Sequence, residues 1–199
     1  MNMEDIWARI EKWLAANAPE VLNSLRPGAD SHAVARVETL LGIEFPPDVR
    51  ASFSIHDGQS GLNMDAGLGY GLIDACELLS LERIVEEWKI WKELLDGGDF
   101  DGQKGAPEGP VKDDWWNPKW IPVAYRGTSD YYCLDLDPAA GGNVGQVIIF
   151  WHDWEQRKVI NSSFEEWLRS YADDLESDRC IMSRDEGGVV RLETEGSTG

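Results

Sequence analysis

The stretch from residue 127 to residue 155, GTSDYYCLDLDPAAGGNVGQVIIFWHDWE, restricts the possible folds more than any other part of the chain. Two β-rich runs, 131–137 and 146–152, flank residues 138–145, whose proline and glycines stop a strand and let the chain reverse. A hairpin with a long loop follows. In the first run Leu134 and Leu136 alternate with Cys133, Asp135 and Asp137, so the leucines are expected on one face and the carboxylates on the other, wet face. The second run, Val147-Ile148-Ile149-Phe150-Trp151, is apolar without interruption and reads as a central strand covered on both faces. Residues 127–156 contain no Lys or Arg but include Asp130, Asp135, Asp137, Asp153 and Glu155, so what this sheet presents outward is negative.

The whole chain shares that bias. Its 18 Lys and Arg against 37 Asp and Glu give a formal charge of -19. Such a charge repels phosphate backbones and anionic lipid, which excludes nucleic acid and membrane surfaces as natural partners and favours a basic protein. The competing reading is that the charge only keeps the protein soluble. Ten tryptophans argue against disorder. Cys76, Cys133 and Cys180 are odd in number and widely spaced, which points to buried thiols in a reducing compartment and away from disulfides or a zinc cage. The first residues, MNMEDIWARIEKW, lack the features of a signal peptide, and no run is long and apolar enough for a membrane span, so a cytoplasmic protein is expected.

Helical spacing places Ile6, Trp7, Ile10, Trp13 and Leu14 on one stripe of a helix over 4–16. A turn at 25–29 precedes a second helix capped by Asp30 or Ser31, and Pro46-Pro47-Asp48 opens a third. Residues 61–71 are glycine-rich and read as loop, 72–79 as a strand, and Ser80 caps a helix carrying Ile84, Val85, Trp88, Trp91, Leu94 and Leu95. Residues 96–114 read as a mobile excursion within one domain. A strand over 121–125 leads into the central hairpin, a fourth strand covers 157–160, and Ser162 or Ser163 caps a helix with Phe164, Trp167, Leu168, Tyr171 and Leu175 inward. Residues 1–176 are thus expected to form a single domain, with 177–199 an extension that pairs 180–182 with 189–192 as a hairpin before a flexible tail. Strands that follow helices and are joined by hairpins give an α+β class: N-terminal helices, then a curved, mostly antiparallel sheet with helices packed on one face.

The order of several short motifs resembles the SUKH superfamily, which includes fungal cell-wall assembly regulators and bacterial toxin-immunity proteins. The matching residues are Leu25-Arg26-Pro27-Gly28-Ala29, Glu38 with Leu41-Gly42, Phe45-Pro46-Pro47-Asp48, His56-Asp57-Gly58-Gln59, and Leu78-Leu79-Ser80-Leu81 with Ile84 and Trp88. They continue with Trp120-Ile121-Pro122, Cys133-Leu134-Asp135-Leu136-Asp137-Pro138, Gly145-Gln146-Val147-Ile148, His152-Asp153, and Ser163-Phe164 with Trp167-Leu168, covering about 4–176. Many relatives have adjacent Gly-Asp before the Cys-Leu-Asp strand, whereas Thr128-Ser129 separate Gly127 from Asp130 here. The resemblance implies an α+β fold whose sheet binds protein partners, without catalysis and without a cofactor.

Asp130, Asp135, Asp137, Asp153 and Glu155, with Trp115, Trp116 and Tyr131, are the candidate partner-binding residues, because carboxylates bond Arg directionally and exposed tryptophan is enriched at binding hot spots. The competing reading is a solvated sheet face. Two of the aspartates acting as acid and base on a sugar form a weaker alternative, since no pocket is evident that would raise one pKa. His56-Asp57 and His152-Asp153 lack a recognised metal spacing and read as structural histidines; no metal site is assigned. Cys133 reads as a packed thiol, and 67–71 as a turn region with no phosphate-binding Lys or helix start after it. The leading expectation is an immunity-type module that neutralises a basic toxin domain. The alternative is an intracellular regulator or scaffold like the fungal relatives, which are expected to carry long disordered flanks that this chain lacks.

Overall fold

The structure is a computed structural model that describes residues 2–192. Four helices come first: α1 (Met3–Asn17), α2 (Pro19–Ser24), α3 (Ser31–Leu41) and α4 (Pro47–Ile55). Helix α1 opens on a capping box between Asn2 and Asp5, α3 on the Asp30 carboxylate, and Gly42 ends α3 in the left-handed region. The first helix ends at Asn17, close to the expected 4–16, but a proline is tolerated in a first turn, where its missing N–H is not needed. Pro19 therefore begins α2.

After a 3-10 turn, Met64–Ala66, come β1 (Glu77–Leu78), α5 (Leu81–Gly97), β2 (Ala106–Glu108), β3 (Trp120–Gly127), β4 (Asp130–Asp135), β5 (Gln146–Phe150), β6 (Gln156–Asn161), α6 (Phe164–Glu176), β7 (Cys180–Ser183) and β8 (Gly188–Arg191). Strands β1-β3-β4-β5-β6-β2 form one sheet, antiparallel throughout except for the parallel pair β2 and β6. The α+β class and the mostly antiparallel sheet stand as expected. The strand expected over 72–79 shortens to two residues, because Asp74 and Ala75 take left-handed φ values of 52° and 58° and turn the chain. The excursion over 96–114 contributes β2 to the sheet edge. The tail expected after the hairpin falls mostly beyond residue 192, outside the described residues.

Consecutive residues of β4 face opposite ways, and this sets the layers. Tyr131 packs with Trp91 of α5 and with Phe150, whereas Tyr132 packs with Trp167 of α6, so these two helices meet the sheet from its two sides and not from the one face expected. Strand β5 is accordingly buried on both faces, with Val147, Ile148 and Phe150 fully enclosed. Helices α1 and α4 in turn pack on α6, and α3 on α5.

Candidate functional site

The eight candidate residues separate into a buried group and an exposed group. Asp135, at 0% exposure, does not lie on a wet face. Its face of the sheet is covered by residues 110–117; its Oδ2 accepts a 2.8 Å bond from Gln146 Nε2, which also donates to the Pro110 carbonyl, and its Oδ1 accepts from the Asp137 N–H. Burial raises its pKa despite those bonds. Tyr131 is buried with its hydroxyl 2.7 Å from Glu87, and Trp116 is buried against Trp88 and Trp91. These three are unavailable to a partner. The residue expected to share Trp116's exposure, Trp115, is half-buried.

Asp137 is partly exposed but already engaged. Lys112 Nζ lies 2.5 Å away and Asn117 donates at 3.1 Å, and the Lys112 contact holds its pKa below the usual carboxylate range. Asp130 accepts from both the backbone N–H and the Nδ1 of His152, at 3.1 and 3.0 Å, which locks the start of β4 to the end of β5. What remains outward is the β5–β6 turn, where Asp153, Trp154 and Glu155 are exposed, Trp154 at 65%.

Arg157 lies beneath this turn and is fully buried. Its guanidinium donates to the carbonyls of Trp154 and Gln156 through Nη1 and of Trp115 through Nη2, the last at 2.8 Å, and stacks 4.3 Å from the Phe150 ring centre and 5.2 Å from that of Trp115. It has no carboxylate partner among the described residues, and burial pulls its pKa down to about 10. Ala106 N bonds the Glu155 carbonyl and Gly105 N the Asp113 carbonyl. A Cβ on Gly105 would sit 2.7 Å from the Asp114 carbonyl and 3.2 Å from the Arg157 side chain, so only glycine lets the segment pass there. Residues 105–115 and 154–157 are therefore knitted into one rim. Neither Trp154 nor Arg157 stands out in sequence; the available signals were a tryptophan between two acids and the first cation after thirty residues without one.

The two His-Asp pairs have separate tasks. Asp130, His152 and Asp153 bring three ligand-type atoms within 4.8 Å, an arrangement that can accept a divalent cation, although Asp130 already occupies His152 Nδ1. His56 is held between Glu11, 2.6 Å from Nε2, and the Arg26 carbonyl, 2.9 Å from Nδ1. Asp57 accepts the Leu81 N–H at 2.8 Å, and buried Gln59 fills all its valences with Ser24, Tyr70, Leu72 and Leu78. The His56-Asp57-Gly58-Gln59 motif is thus a hydrogen-bonded hub joining the helical half to the sheet. A second acidic group lies under α5, where Glu77 and Glu87 are buried near Arg83, and burial pushes Glu77 up to about 6.

The fold and this site define an α+β domain built on a polar hub, with an acidic and aromatic turn at one rim of its sheet. The chain belongs to the SMI1 / KNR4 family (SUKH-1), which it matches over residues 28–170. It is 29% identical to "Cell wall biosynthesis/cell cycle regulator smi1" of Schizosaccharomyces pombe, over 94% of this chain and 39% of that protein. It is 26% identical to "Glucan synthesis regulatory protein" of Neurospora crassa, over 90% of this chain and 39% of that protein. It is 27% identical to "Cell wall assembly regulator SMI1" of Saccharomyces cerevisiae, over 86% of this chain and 40% of that protein. The chain therefore spans about two fifths of the length of these relatives.

Proposed function

We propose that this domain is an intracellular regulatory or scaffold module of the cell-wall assembly type, working by docking protein partners and without catalysis of its own. The observation that carries this reading is membership of the SMI1 / KNR4 family together with relatives named as regulators of wall or glucan synthesis. This reverses the order expected from sequence: the immunity role against a toxin has no such support. The expectation about flanks weighs nothing against a regulator, because the chain corresponds to only a part of each of these relatives. The geometry supports a non-catalytic reading as well. Of the aspartates considered for acid and base chemistry, Asp135 is buried under Gln146, Asp137 is paired with Lys112, Asp130 is paired with His152, and Asp153 stands exposed on the β5–β6 turn. Among the described residues, no helix is long and apolar enough to cross a membrane.

The test is a domain exchange. Residues 1–192 replace the matching segment of the Saccharomyces cerevisiae regulator, and wall glucan content and growth under a wall-binding dye are measured. Restoration relative to a strain lacking that segment is expected. A chimera that is folded and expressed at the normal level but behaves like the deletion sinks the proposal.

A further inference from the structure

We infer that the β5–β6 turn and the Trp115 segment make one docking surface for an extended, basic segment of a partner protein that carries Arg or Lys beside apolar side chains, and that Arg157 positions this surface from below. The inference rests on the partner-docking reading and adds the place and the partner chemistry.

Charge complementarity comes first. Glu155 has no ion pair among the described residues, and Asp153, with 74% of its side chain exposed, has only His152 at 3.9 Å. The nearest cations in sequence do not neutralise them. Lys158 points away from Arg157, since alternate residues of β6 face opposite sides, and sits 3.7 Å from Glu108. Arg157 directs its donors at main-chain carbonyls. Two carboxylates with no Lys or Arg partner among the described residues therefore flank Trp154, whose large apolar ring is left in water. Exposed Trp between acids suits a segment in which a guanidinium or ammonium meets a carboxylate or the indole face while a neighbouring apolar side chain covers the ring.

The buried guanidinium explains why the turn holds one shape. It binds a carbonyl at Trp154 and another at Trp115, 42 residues before Arg157, so the two tryptophan-bearing segments cannot move independently without leaving its donors unpaired. Leaving a buried cation without acceptors is costly, which ties the two segments together. Arg157 touches no partner in this scheme and is a positioning residue.

The test uses a synthetic peptide of alternating arginine and leucine as probe, titrated into the full chain by calorimetry at low and at physiological salt. Trp154→Ala and the pair Asp153→Asn with Glu155→Gln are each expected to weaken binding at least about tenfold. Glu82→Gln with Glu93→Gln, which removes the same charge from α5, is expected to change it less than about threefold. Arg157→Lys keeps the charge but cannot serve both segments, and is expected to weaken binding severalfold while its circular dichroism stays native. Binding that is absent, that the turn variants leave unchanged, or that the α5 pair weakens equally overturns the inference. Arg157→Lys that binds as well as wild type overturns its positioning part. The domain exchange is independent of these results, so a working chimera with an indifferent turn fails the surface and leaves the regulatory reading standing.

Discussion

The carboxylate of Asp135 lies 2.8 Å from the side-chain amide of Gln146, its cross-strand partner in the β4–β5 pair, and both are sealed from solvent. This pair closes the base of the long hairpin, because Gln146 also donates to Pro110 and accepts from the Asn143 N–H. Asp135→Ala strands one N–H of the Gln146 amide and the Asp137 N–H, so a loss of about 2–4 kcal/mol in urea unfolding is expected. Asp135→Asn is expected to destabilise too, since its new NH2 faces the NH2 of Gln146. Wild-type stability in either variant would show that the pair is not what closes the loop.

Gln59 makes a second, sharper case. Its Oε1 accepts from the N–H groups of Leu72 and Leu78, and its Nε2 donates to Ser24 Oγ at 2.7 Å and to the Tyr70 carbonyl at 3.0 Å. Gln59→Glu sets an oxygen against the Tyr70 carbonyl and buries a charge with no cation beside it. A loss of more than about 3 kcal/mol at neutral pH is expected, smaller in acid where the new carboxyl is protonated. The neighbouring Gly58 has φ +67°, and a Cβ there would lie 2.4 Å from Ser80 N, so the motif tolerates little at either position.

What was legible in sequence was whatever a local pattern specifies. The apolar stripes of α1, α5 and α6 and the caps at Asp30, Ser80 and Ser163 follow from spacing and side-chain chemistry within a few residues. The hairpin of β4 and β5 was equally plain, and so was the double burial of β5. Failures came where distant segments decide. Alternation placed Asp135 on a wet face, but residues 110–117 cover that face and supply its second-neighbour carbonyl at Pro110. Trp116 met the same fate against α5. Arg157 read as an ordinary strand residue because its acceptors, at Trp115 and Trp154, are brought together only by the fold.

Glu77 gives a pH signature. Burial raises its carboxyl from an ordinary 4.5 to about 6, with Glu87 and Asp65 adding to the effect and Arg83 opposing it. The folded state therefore holds this proton more tightly than the unfolded chain. Its favourable contribution is complete below about 4.5 and is lost as pH rises through about 6. Glu77→Gln keeps the shape and removes the ionisation, so it is expected to be more stable than wild type above pH 6 by up to about 2 kcal/mol. The two proteins should converge in acid. Thermal unfolding of both from pH 4 to 8 measures the difference directly, which cancels the opposite slopes of the paired carboxylates. A difference that is flat with pH would show that Glu77 ionises normally in the folded protein.

The hairpin of β7 and β8 lies past the span matched to the family, yet its bonds reach deep into the domain. Arg191 pairs with Asp74 and, at 2.7 Å, with Asp174 of α6; Arg179 binds the other oxygen of Asp174. Asp74 also accepts from the Tyr132 hydroxyl at 2.7 Å. Along the backbone, Gly187 and Val189 accept from the N–H groups of Gly71 and Ala75, fastening the turn in which Asp74 and Ala75 hold left-handed conformations. Such conformations in residues with a Cβ persist only where surroundings hold them. Arg191→Met leaves Asp74 without its cation and Asp174 with Arg179 alone, and is expected to cost about 2–4 kcal/mol. Deleting residues 178–199 also frees the turn, so its melting temperature should fall further than that of Arg191→Met. A deletion that melts like wild type would reduce the hairpin to an appendage; the expected drop would make it the clasp on which the turn before β1 depends.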